Sequence, residues 1–298
     1  MNDFNYVLAK SVQEVVSLLE DHNNSAKILN GGTDLLSQLS EGRQNPDLVI
    51  DIKGIPQVNE LTFDKSHLYI GSAVTCLTLR RNDELMNLFP GLYEAFSLIG
   101  GIQIQGRATI GGNICNASPA ADSIPALIVH RAECVITGSS GERKVPVEEF
   151  FIGPGKNVLE NDEFLVGIQI PIPHNLFGAS YQRFIPRNEM DIAIVGVGSS
   201  VTINESSGEI IDVRIGLGAV APTPLYVKEA GLPLLGTSIS GGDLTNKINE
   251  VSLIAQKFAT PITDMRGSAS QRKHLVKILT RRTLETSIER VKSLWSTE

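Results

Sequence analysis

The chain has 298 residues, of which 42% are hydrophobic and 20% are charged, and its formal net charge is −7. This apolar content is far above that of a disordered chain, and the length is sufficient for two domains with cores of their own. The acidic balance and the low aromatic content argue against a nucleic-acid-binding protein, which normally presents a basic face and base-stacking rings. Only residues 257–298 are basic on balance, as expected for the solvated side of a C-terminal helix.

The cysteines, the N-terminal segment and the hydropathy of the chain argue against further classes of protein. Cys76, Cys115 and Cys134 stand far apart without a C-x-x-C pair, so we predict no metal or iron–sulfur site in this chain. An odd, sparse set of cysteines fits a reducing compartment. The N-terminus lacks the basic and apolar regions of a signal peptide, and no run approaches the roughly 20 apolar residues of a membrane span. We therefore expect a cytoplasmic protein without a membrane span.

The N-terminal part of the chain predicts a helix, a strand and a second helix. Ser11 and Glu14 form a capping box before apolar residues at helical spacing, which predicts a helix over 11–21. A short apolar strand then runs into a double glycine. The next helix is predicted over 33–39, with Asp34 as the candidate cap.

The middle of the chain predicts strands on both sides of a glycine-rich region. A helix is predicted over 83–98, followed by a stretch from Gly100 to Pro125 with little helical periodicity. Pro171 and Pro173 end the last of these strands and indicate a domain boundary near 172–178. Strands are predicted over residues 26–29, 47–52, 68–72, 133–137, 144–147 and 164–170.

The C-terminal part predicts a hairpin followed by two helices. The hairpin strands are 192–203 and 210–219, and the helices are 243–259 and 270–294. Strands and helices mix without a strict βαβ alternation. The pattern therefore indicates an α+β fold rather than a parallel dinucleotide-binding sheet.

One apparent dinucleotide motif is rejected. Gly216-x-Gly218-x-x-Ala221 matches the dinucleotide fingerprint formally, but that motif requires a helix to begin at the turn. Pro222 and Pro224 follow at once and oppose such a helix. We interpret these small residues as a site of close strand packing. No histidine of the chain has an obvious catalytic partner, so a cofactor would have to supply any chemistry.

Two other glycine segments are better candidates for a ligand site. The first is Ile28-Leu29-Asn30-Gly31-Gly32-Thr33-Asp34-Leu35, and the second is Thr109-Ile110-Gly111-Gly112-Asn113, which leads on to Asp122. Glycines allow a close approach of the main chain, so backbone N–H groups and a helix N-terminus can hold a diphosphate that an acidic protein would otherwise repel. Asp122 would accept from ribose hydroxyls. The alternative is two ordinary glycine turns with Asp and Asn as caps.

At these residues the chain resembles a known family. The two glycine segments, together with Ala117-Ser-Pro-Ala-Ala-Asp122, are similar to the FAD-binding medium subunit of the molybdenum hydroxylases, the family of xanthine dehydrogenase and carbon monoxide dehydrogenase. The resemblance covers essentially the whole chain, and 113–116 and 153–156 look closest to bacterial xanthine dehydrogenase flavin subunits. Asn30 departs from the alanine that is usual in relatives, and Arg183 departs from the more common lysine. Further similar segments are 153–156, 162–165, 190–193, 221–224 and 264–272.

The resemblance implies a fold, a cofactor and its site. The fold is a two-part FAD-binding domain of the PCMH/vanillyl-alcohol-oxidase type over 1–174, with lobes of about 1–56 and 57–174, and a smaller α/β domain over 175–298 like the C-terminal domain of carbon monoxide dehydrogenase flavoproteins. No residue of the chain is predicted to be catalytic. The residues implied to bind FAD are Ile28, Leu29, Asn30, Gly31, Gly32, Thr33, Asp34, Leu35, Ile99, Thr109, Ile110, Gly111, Gly112, Asn113, Asp122, Leu165 and Arg183.

The resemblance also implies partners. They are a large subunit with molybdenum–pterin and a small subunit with [2Fe-2S] clusters, in a dimer of heterotrimers. Electrons would pass from a purine substrate through these centres to FAD and then to NAD or another acceptor. Aldehydes, N-heterocycles and carbon monoxide remain open as substrates. Two rival interpretations also stay open, a stand-alone flavin oxidoreductase of the same fold and a binding module whose double glycines are only turns.

Overall fold

The computed structural model describes residues 3–187 and 190–296, and its main sheets follow one another along the chain. We divide it into an N-terminal lobe (3–56), a middle lobe (57–171) and a C-terminal lobe (177–187 and 190–296). Each lobe has one main sheet. The mixture of helices and sheets confirms the α+β class.

The N-terminal lobe is built on a small parallel sheet in the order β1-β3-β2. Its first helix begins as predicted, since Ser11 Oγ accepts from the N–H of Glu14 at 3.2 Å and thereby satisfies a free donor of the first turn. Val15, Val16 and Leu19 of this helix are buried against the sheet. The elements are β1 (Asn5–Leu8), α1 (Val12–His22), β2 (Ala26–Leu29), α2 (Leu35–Ser40) and β3 (Leu48–Asp51).

The middle lobe has an antiparallel sheet in the order β4-β5-β10-β6-β7, covered by short helices. The helices pack on it through a core that includes Phe89, Phe96 and Phe150. A two-stranded ribbon of β8 and β9 lies beside the sheet. The elements are β4 (Leu61–Phe63), β5 (His67–Gly71), α3 (Cys76–Arg80), α4 (Asp83–Leu88), α5 (Pro90–Ser97), α6 (Ile102–Gln105), α7 (Ile110–Cys115), α8 (Ser123–Val129), β6 (Glu133–Gly138), β7 (Gly141–Pro146), β8 (Phe151–Gly153), β9 (Lys156–Asn157) and β10 (Phe164–Pro171).

The middle lobe has two features that the sequence did not predict. The helix predicted over 83–98 is interrupted at Phe89, whose φ of −131° and ψ of 58° are not helical, because Pro90 begins a new helix at its first position. The stretch from Gly100 to Pro125, in which the sequence shows little helical periodicity, contains α6, α7 and the start of α8. These helices have at most seven residues, too few for helical periodicity to show in the sequence.

The C-terminal lobe is an antiparallel sheet in the order β11-β12-β13-β14 with two long helices. Its hairpin and helices lie within a few residues of their predicted bounds. The sequence did not predict β11, because its small and polar residues do not show the alternation of apolar and polar side chains that is typical of a strand. The elements are β11 (Phe177–Phe184), β12 (Val195–Ile203), β13 (Ile210–Gly218), β14 (Leu225–Tyr226), α9 (Leu244–Phe258) and α10 (Ala269–Trp295).

The sheet of the C-terminal lobe packs directly on α8 of the middle lobe. A Cβ on Gly198 or Gly216 would lie 2.5 Å or 2.6 Å from the carbonyl oxygen of Pro125. Gly216, which belongs to the rejected fingerprint, therefore allows its strand to pack closely on α8, in agreement with the sequence interpretation of close strand packing. In the part of the chain that is described, no helix combines the length and hydropathy needed to cross a membrane.

Candidate functional site

The first glycine turn connects β2 to α2. Gly32 has a φ of 80°, a conformation that glycine adopts without strain, and it turns the chain toward α2. Asp34 stands at the N-cap position of that helix, but its side chain makes no capping hydrogen bond, contrary to the sequence expectation. The helix has six residues, so its dipole is small and the N–H groups of the turn are the better candidates for anion contacts.

The second glycine turn leads into α7, which also has six residues. Thr109 is the N-cap, and its Oγ1 accepts from the N–H of Gly112 at 3.2 Å. Asn113 Oδ1 accepts from the hydroxyl of Ser123 at 2.6 Å, which fixes the orientation of that amide group. The polar side chains of this turn are therefore held by neighbours of the same lobe.

The two turns touch each other. A Cβ on Gly31 would lie 2.1 Å from the carbonyl oxygen of Arg107 and 3.2 Å from the nitrogen of Thr109, so only glycine fits there. The carbonyl oxygen of Ser72 joins the turns, since it accepts from Asn30 Nδ2 at 2.8 Å and from the N–H of Gly111 at 3.1 Å. One backbone oxygen at the end of β5 thus links both glycine segments.

A lysine supports the first turn from behind. Lys53 Nζ donates to the carbonyl oxygen of Asn30 at 2.8 Å and lies 2.7 Å from Asp51 Oδ1. The hydroxyl of Tyr6 donates to the other oxygen of Asp51 at 2.9 Å. Burial raises the pKa of Asp51, but the contacts with Lys53 and Tyr6 outweigh it and leave that pKa below its ordinary value. The turn is therefore anchored by a charged group that does not itself line the cleft.

Both turns line one cleft of about 530 Å³ between the N-terminal and middle lobes. The two glycine turns form one wall of the cleft. Apolar side chains complete the lining, among them Ile52, Ile99, Leu159 and Phe164. The charged residues of the lining are Lys27 and Asp34, one of each sign. The cleft has the size and the mixture of apolar walls and few polar groups that are typical of a small-molecule site.

The structure brings most of the residues assigned from the sequence to this cleft. Leu29 and Ile110 do not line it, because their side chains are buried in the cores on either side of the turns. Asp122 and Arg183 do not line it either, and they are described below. The assigned residues that line the cleft are Ile28, Asn30, Gly31, Gly32, Thr33, Asp34, Leu35, Ile99, Thr109, Gly111, Gly112, Asn113 and Leu165.

Asp122 and Arg183 pair with each other across the boundary between lobes. Arg183 Nη1 donates to Asp122 Oδ2 at 2.5 Å, and the hydroxyl of Tyr181 donates to Asp122 Oδ1 at 2.7 Å. Burial raises the pKa of Asp122 to about 6, and the charge of Arg183 opposes that rise. The placement of Asp122 toward the adenosine half and of Arg183 at the flavin stays a prediction, and in this structure the pair connects the middle and C-terminal lobes.

Several cleft residues were not selected from the sequence. Ser72 follows β5 and Phe164 begins β10, and each reaches the cleft only because the antiparallel sheet brings its strand end to the glycine turns. Cys115 also lines the cleft, and burial raises the pKa of its thiol to about 12, so it remains protonated at neutral pH. No local sequence signal marks these positions, because their role depends on strand pairing.

The residues present fit a dinucleotide such as FAD. At Gly31 and Gly111 a Cβ would collide with Arg107 or Ser72, so the two turns approach each other and β5 through main chain without side chains. Two buried polar atoms of the lining, Asn30 Oδ1 and Ser72 Oγ, have no hydrogen-bond partner within residues 3–187 and 190–296. Such atoms normally have a partner, which a polar ligand would provide.

Two family models match most of the chain. Residues 2–173 match the FAD binding domain in molybdopterin dehydrogenase, and residues 180–287 match the CO dehydrogenase flavoprotein C-terminal domain. The chain belongs to the family of FAD-binding medium subunits of the molybdenum hydroxylases, which confirms the resemblance drawn from the glycine segments.

Individual relatives extend over the whole chain. The xanthine dehydrogenase FAD-binding subunit of Escherichia coli is 31% identical over 97% of this chain and 97% of its own length. The carbon monoxide dehydrogenase medium chain of Afipia carboxidovorans is 30% identical over 97% of this chain and 98% of its own. Among solved structures, the carbon monoxide dehydrogenase of Hydrogenophaga pseudoflava matches with a TM-score of 0.90 and 30% identity, covering 97% of this chain and 98% of that one.

Proposed function

We propose that this chain is the FAD-carrying electron-transfer subunit of a molybdenum hydroxylase complex that oxidises a purine such as xanthine or hypoxanthine. Its partners are a large subunit with molybdenum–pterin and a small subunit with [2Fe-2S] clusters, assembled as a dimer of heterotrimers. FAD supplies the exchange between the one-electron chemistry of the clusters and hydride transfer to NAD or another acceptor. Free cysteines at all three positions fit the cytoplasm as its location.

The observation that carries the proposal is the junction at Ser72. Its carbonyl oxygen holds both glycine turns at the wall of one cleft, where Gly31 and Gly111 present backbone without side chains. In this arrangement the residues 28–35 and 109–113 would bind the diphosphate through neutral main-chain donors. The apolar side chains Ile99 and Leu165 would contact the flavin ring.

The cleft lining also favours this proposal over a stand-alone oxidoreductase. An enzyme that oxidises its own substrate at the flavin normally places an acid or base beside the ring. Among the described residues that line the cleft, the titratable side chains are Lys27, Asp34 and Cys115. Lys27 and Asp34 belong to the strand and turn on the diphosphate side, and Cys115 is a protonated thiol. Substrate chemistry is therefore expected on another subunit.

The domain bounds of the proposal follow the lobes. We assign residues 1–174, with lobes of about 1–56 and 57–174, to the FAD-binding domain and 175–298 to the C-terminal domain. Pro171 and Pro173 support a boundary at this point, because they end β10 before β11 begins. The smaller domain would then serve to hold the flavin domain and to offer a surface for partners.

The test is purification of the chain with a tag from its native host. We expect the flavin absorbance band near roughly 450 nm, two co-purifying subunits, and molybdenum and iron by metal analysis. Xanthine or hypoxanthine should then bleach the flavin band, and NAD should restore it. A flavin-containing chain that purifies alone and turns over a substrate by itself would establish the stand-alone alternative. A chain that takes up no flavin on reconstitution would refute both.

A further inference from the structure

In the described part of the chain, only one of the two polar atoms of the Asn30 side-chain amide makes a hydrogen bond. Its Nδ2 donates to the carbonyl oxygen of Ser72 at 2.8 Å. Its Oδ1 is buried and has no hydrogen-bond partner in the described part of the chain, and Asn30 lines the cleft. An amide oxygen that is buried without a donor destabilises the protein, so this atom is expected to receive a hydrogen bond in the functional state.

The orientation of this amide group is fixed by chemistry. The carbonyl oxygen of Ser72 can only accept, so the NH₂ group of Asn30 must point at it, and the reverse orientation would oppose two acceptors. The backbone of Asn30 is also held, because its own carbonyl oxygen accepts from Lys53 Nζ at 2.8 Å. Oδ1 is therefore an acceptor of fixed orientation in a residue that lines the cleft.

A diphosphate cannot provide the missing donor. Its oxygens are acceptors with negative charge, and they would repel the oxygen of an amide. In a dinucleotide the nearest donors on either side of the diphosphate are sugar hydroxyls, those of the ribityl chain toward the flavin and those of the ribose toward the adenine. A hydroxyl is therefore the group that fits Asn30 Oδ1 beside the glycine turn.

We propose that Asn30 Oδ1 accepts a hydrogen bond from a sugar-type hydroxyl of the bound dinucleotide, while Nδ2 of the same group holds the two glycine turns together through Ser72. This proposal rests on the proposed function, since it takes FAD as the dinucleotide. The side chain would thus link the two turns and also bind a hydroxyl of the sugar next to the diphosphate.

The test measures the affinity of the flavin-free full chain for FAD, FMN and ADP, as the unaltered protein and as Asn30→Ala. FMN carries only the ribityl hydroxyls, and ADP carries only those of ribose. Asn59→Ala is the matched control, because Asn59 Nδ2 likewise donates to backbone carbonyl oxygens, those of Lys53 and Ile55, and Asn59 does not line the cleft. We expect Asn30→Ala to lower the affinity for FAD about 3- to 10-fold, which corresponds to the loss of one neutral hydrogen bond.

The fragments then identify the hydroxyl. A larger loss for FMN than for ADP assigns the ribityl chain, and a larger loss for ADP than for FMN assigns the ribose. Equal losses for both fragments would show that Asn30 only holds the turns, and a change in FAD affinity below about twofold would show that it does neither, so either result overturns the proposal. Asn59→Ala should leave all three affinities unchanged.

A second measurement does not depend on the folding of the variant. The affinity of the unaltered chain is measured for FAD, for FAD without a ribityl hydroxyl and for FAD without a ribose hydroxyl. One of these analogues should bind about 3- to 10-fold more weakly, and equal binding of all three refutes the proposal. If the unaltered chain binds no FAD at all, the proposed function fails instead, so the two failures are distinguishable.

Discussion

Asp122 and Arg183 form a buried ion pair that joins the middle lobe to the C-terminal lobe. The side chains are only 10% and 6% exposed, and Nη1 of the arginine lies 2.5 Å from Oδ2 of the aspartate. Tyr181, from the same strand as Arg183, satisfies the other carboxylate oxygen. Since the pKa of Asp122 is about 6, the carboxylate is mostly ionised at neutral pH and the pair is formed there.

Asp122→Asn is expected to destabilise the protein strongly. The substitution leaves the guanidinium of Arg183 buried without its counter-charge, so the free energy of unfolding should fall by about 3–5 kcal/mol in urea titrations at pH 7.5. The double variant Asp122→Asn/Arg183→Met should recover part of this loss, because it removes the unpaired charge. Strictly additive effects of the two single substitutions would contradict the pairing.

Gly31→Ala should damage the site. The added Cβ would meet the carbonyl oxygen of Arg107 at 2.1 Å, and a backbone atom cannot move aside cheaply. We expect unfolding to become easier by about 1–3 kcal/mol and FAD affinity to fall about tenfold or more, because the two turns must separate. Gly242→Ala is the control, since nothing lies within 4 Å of a Cβ there. Flavin titration and thermal unfolding should show no comparable effect in the control.

Thr109→Ala removes the cap of α7. Its hydroxyl accepts from the N–H of Gly112, so the loss is expected to lower the free energy of unfolding by about 1 kcal/mol and to loosen the second glycine turn. Thr109→Ser retains the hydroxyl and should behave like the unaltered protein. Chemical denaturation and the FAD dissociation rate measure the two effects, and identical behaviour of the Ala and Ser variants would argue against a capping role.

His130 should make stability depend on pH. Burial lowers the pKa of its ring to about 4, and Nδ1 donates to the carbonyl oxygen of Ala126 at 2.8 Å. Because the folded-state pKa lies below the ordinary 6.5, the unfolded chain takes up the proton first as pH falls. This contribution is fully present above pH 6.5 and is lost as the pH falls toward 4.

The expected loss from His130 between pH 7.5 and pH 5 is about 2 kcal/mol, measured by urea titration. His130→Gln should remove this part of the pH dependence, so the stability difference between variant and unaltered protein should change by that amount. A pH-independent difference for His130→Gln would disprove the assignment.

Much of the N-terminal lobe could be predicted from the sequence, because its signals are local. The capping box at Ser11 and Glu14 works within one helical turn, and the double glycine marks a turn through the conformation of its own backbone. The helices around the second turn could not be predicted in the same way. They are shorter than the periodicity that would reveal them, and packing on the sheet rather than propensity stabilises them.

The sequence by itself determined which segments can bring backbone N–H groups close to a ligand. Only glycine has no side chain, and the positions of the glycines are given directly by the sequence. The tertiary structure decided how those segments are used. It placed Ser72 between the two turns, although Asn30 of the first turn is 42 residues from it in sequence, and it paired Asp122 with Arg183, 61 residues away, rather than directing either into the cleft. Such contacts depend on how strands pair and lobes pack, which no local rule of the chain specifies.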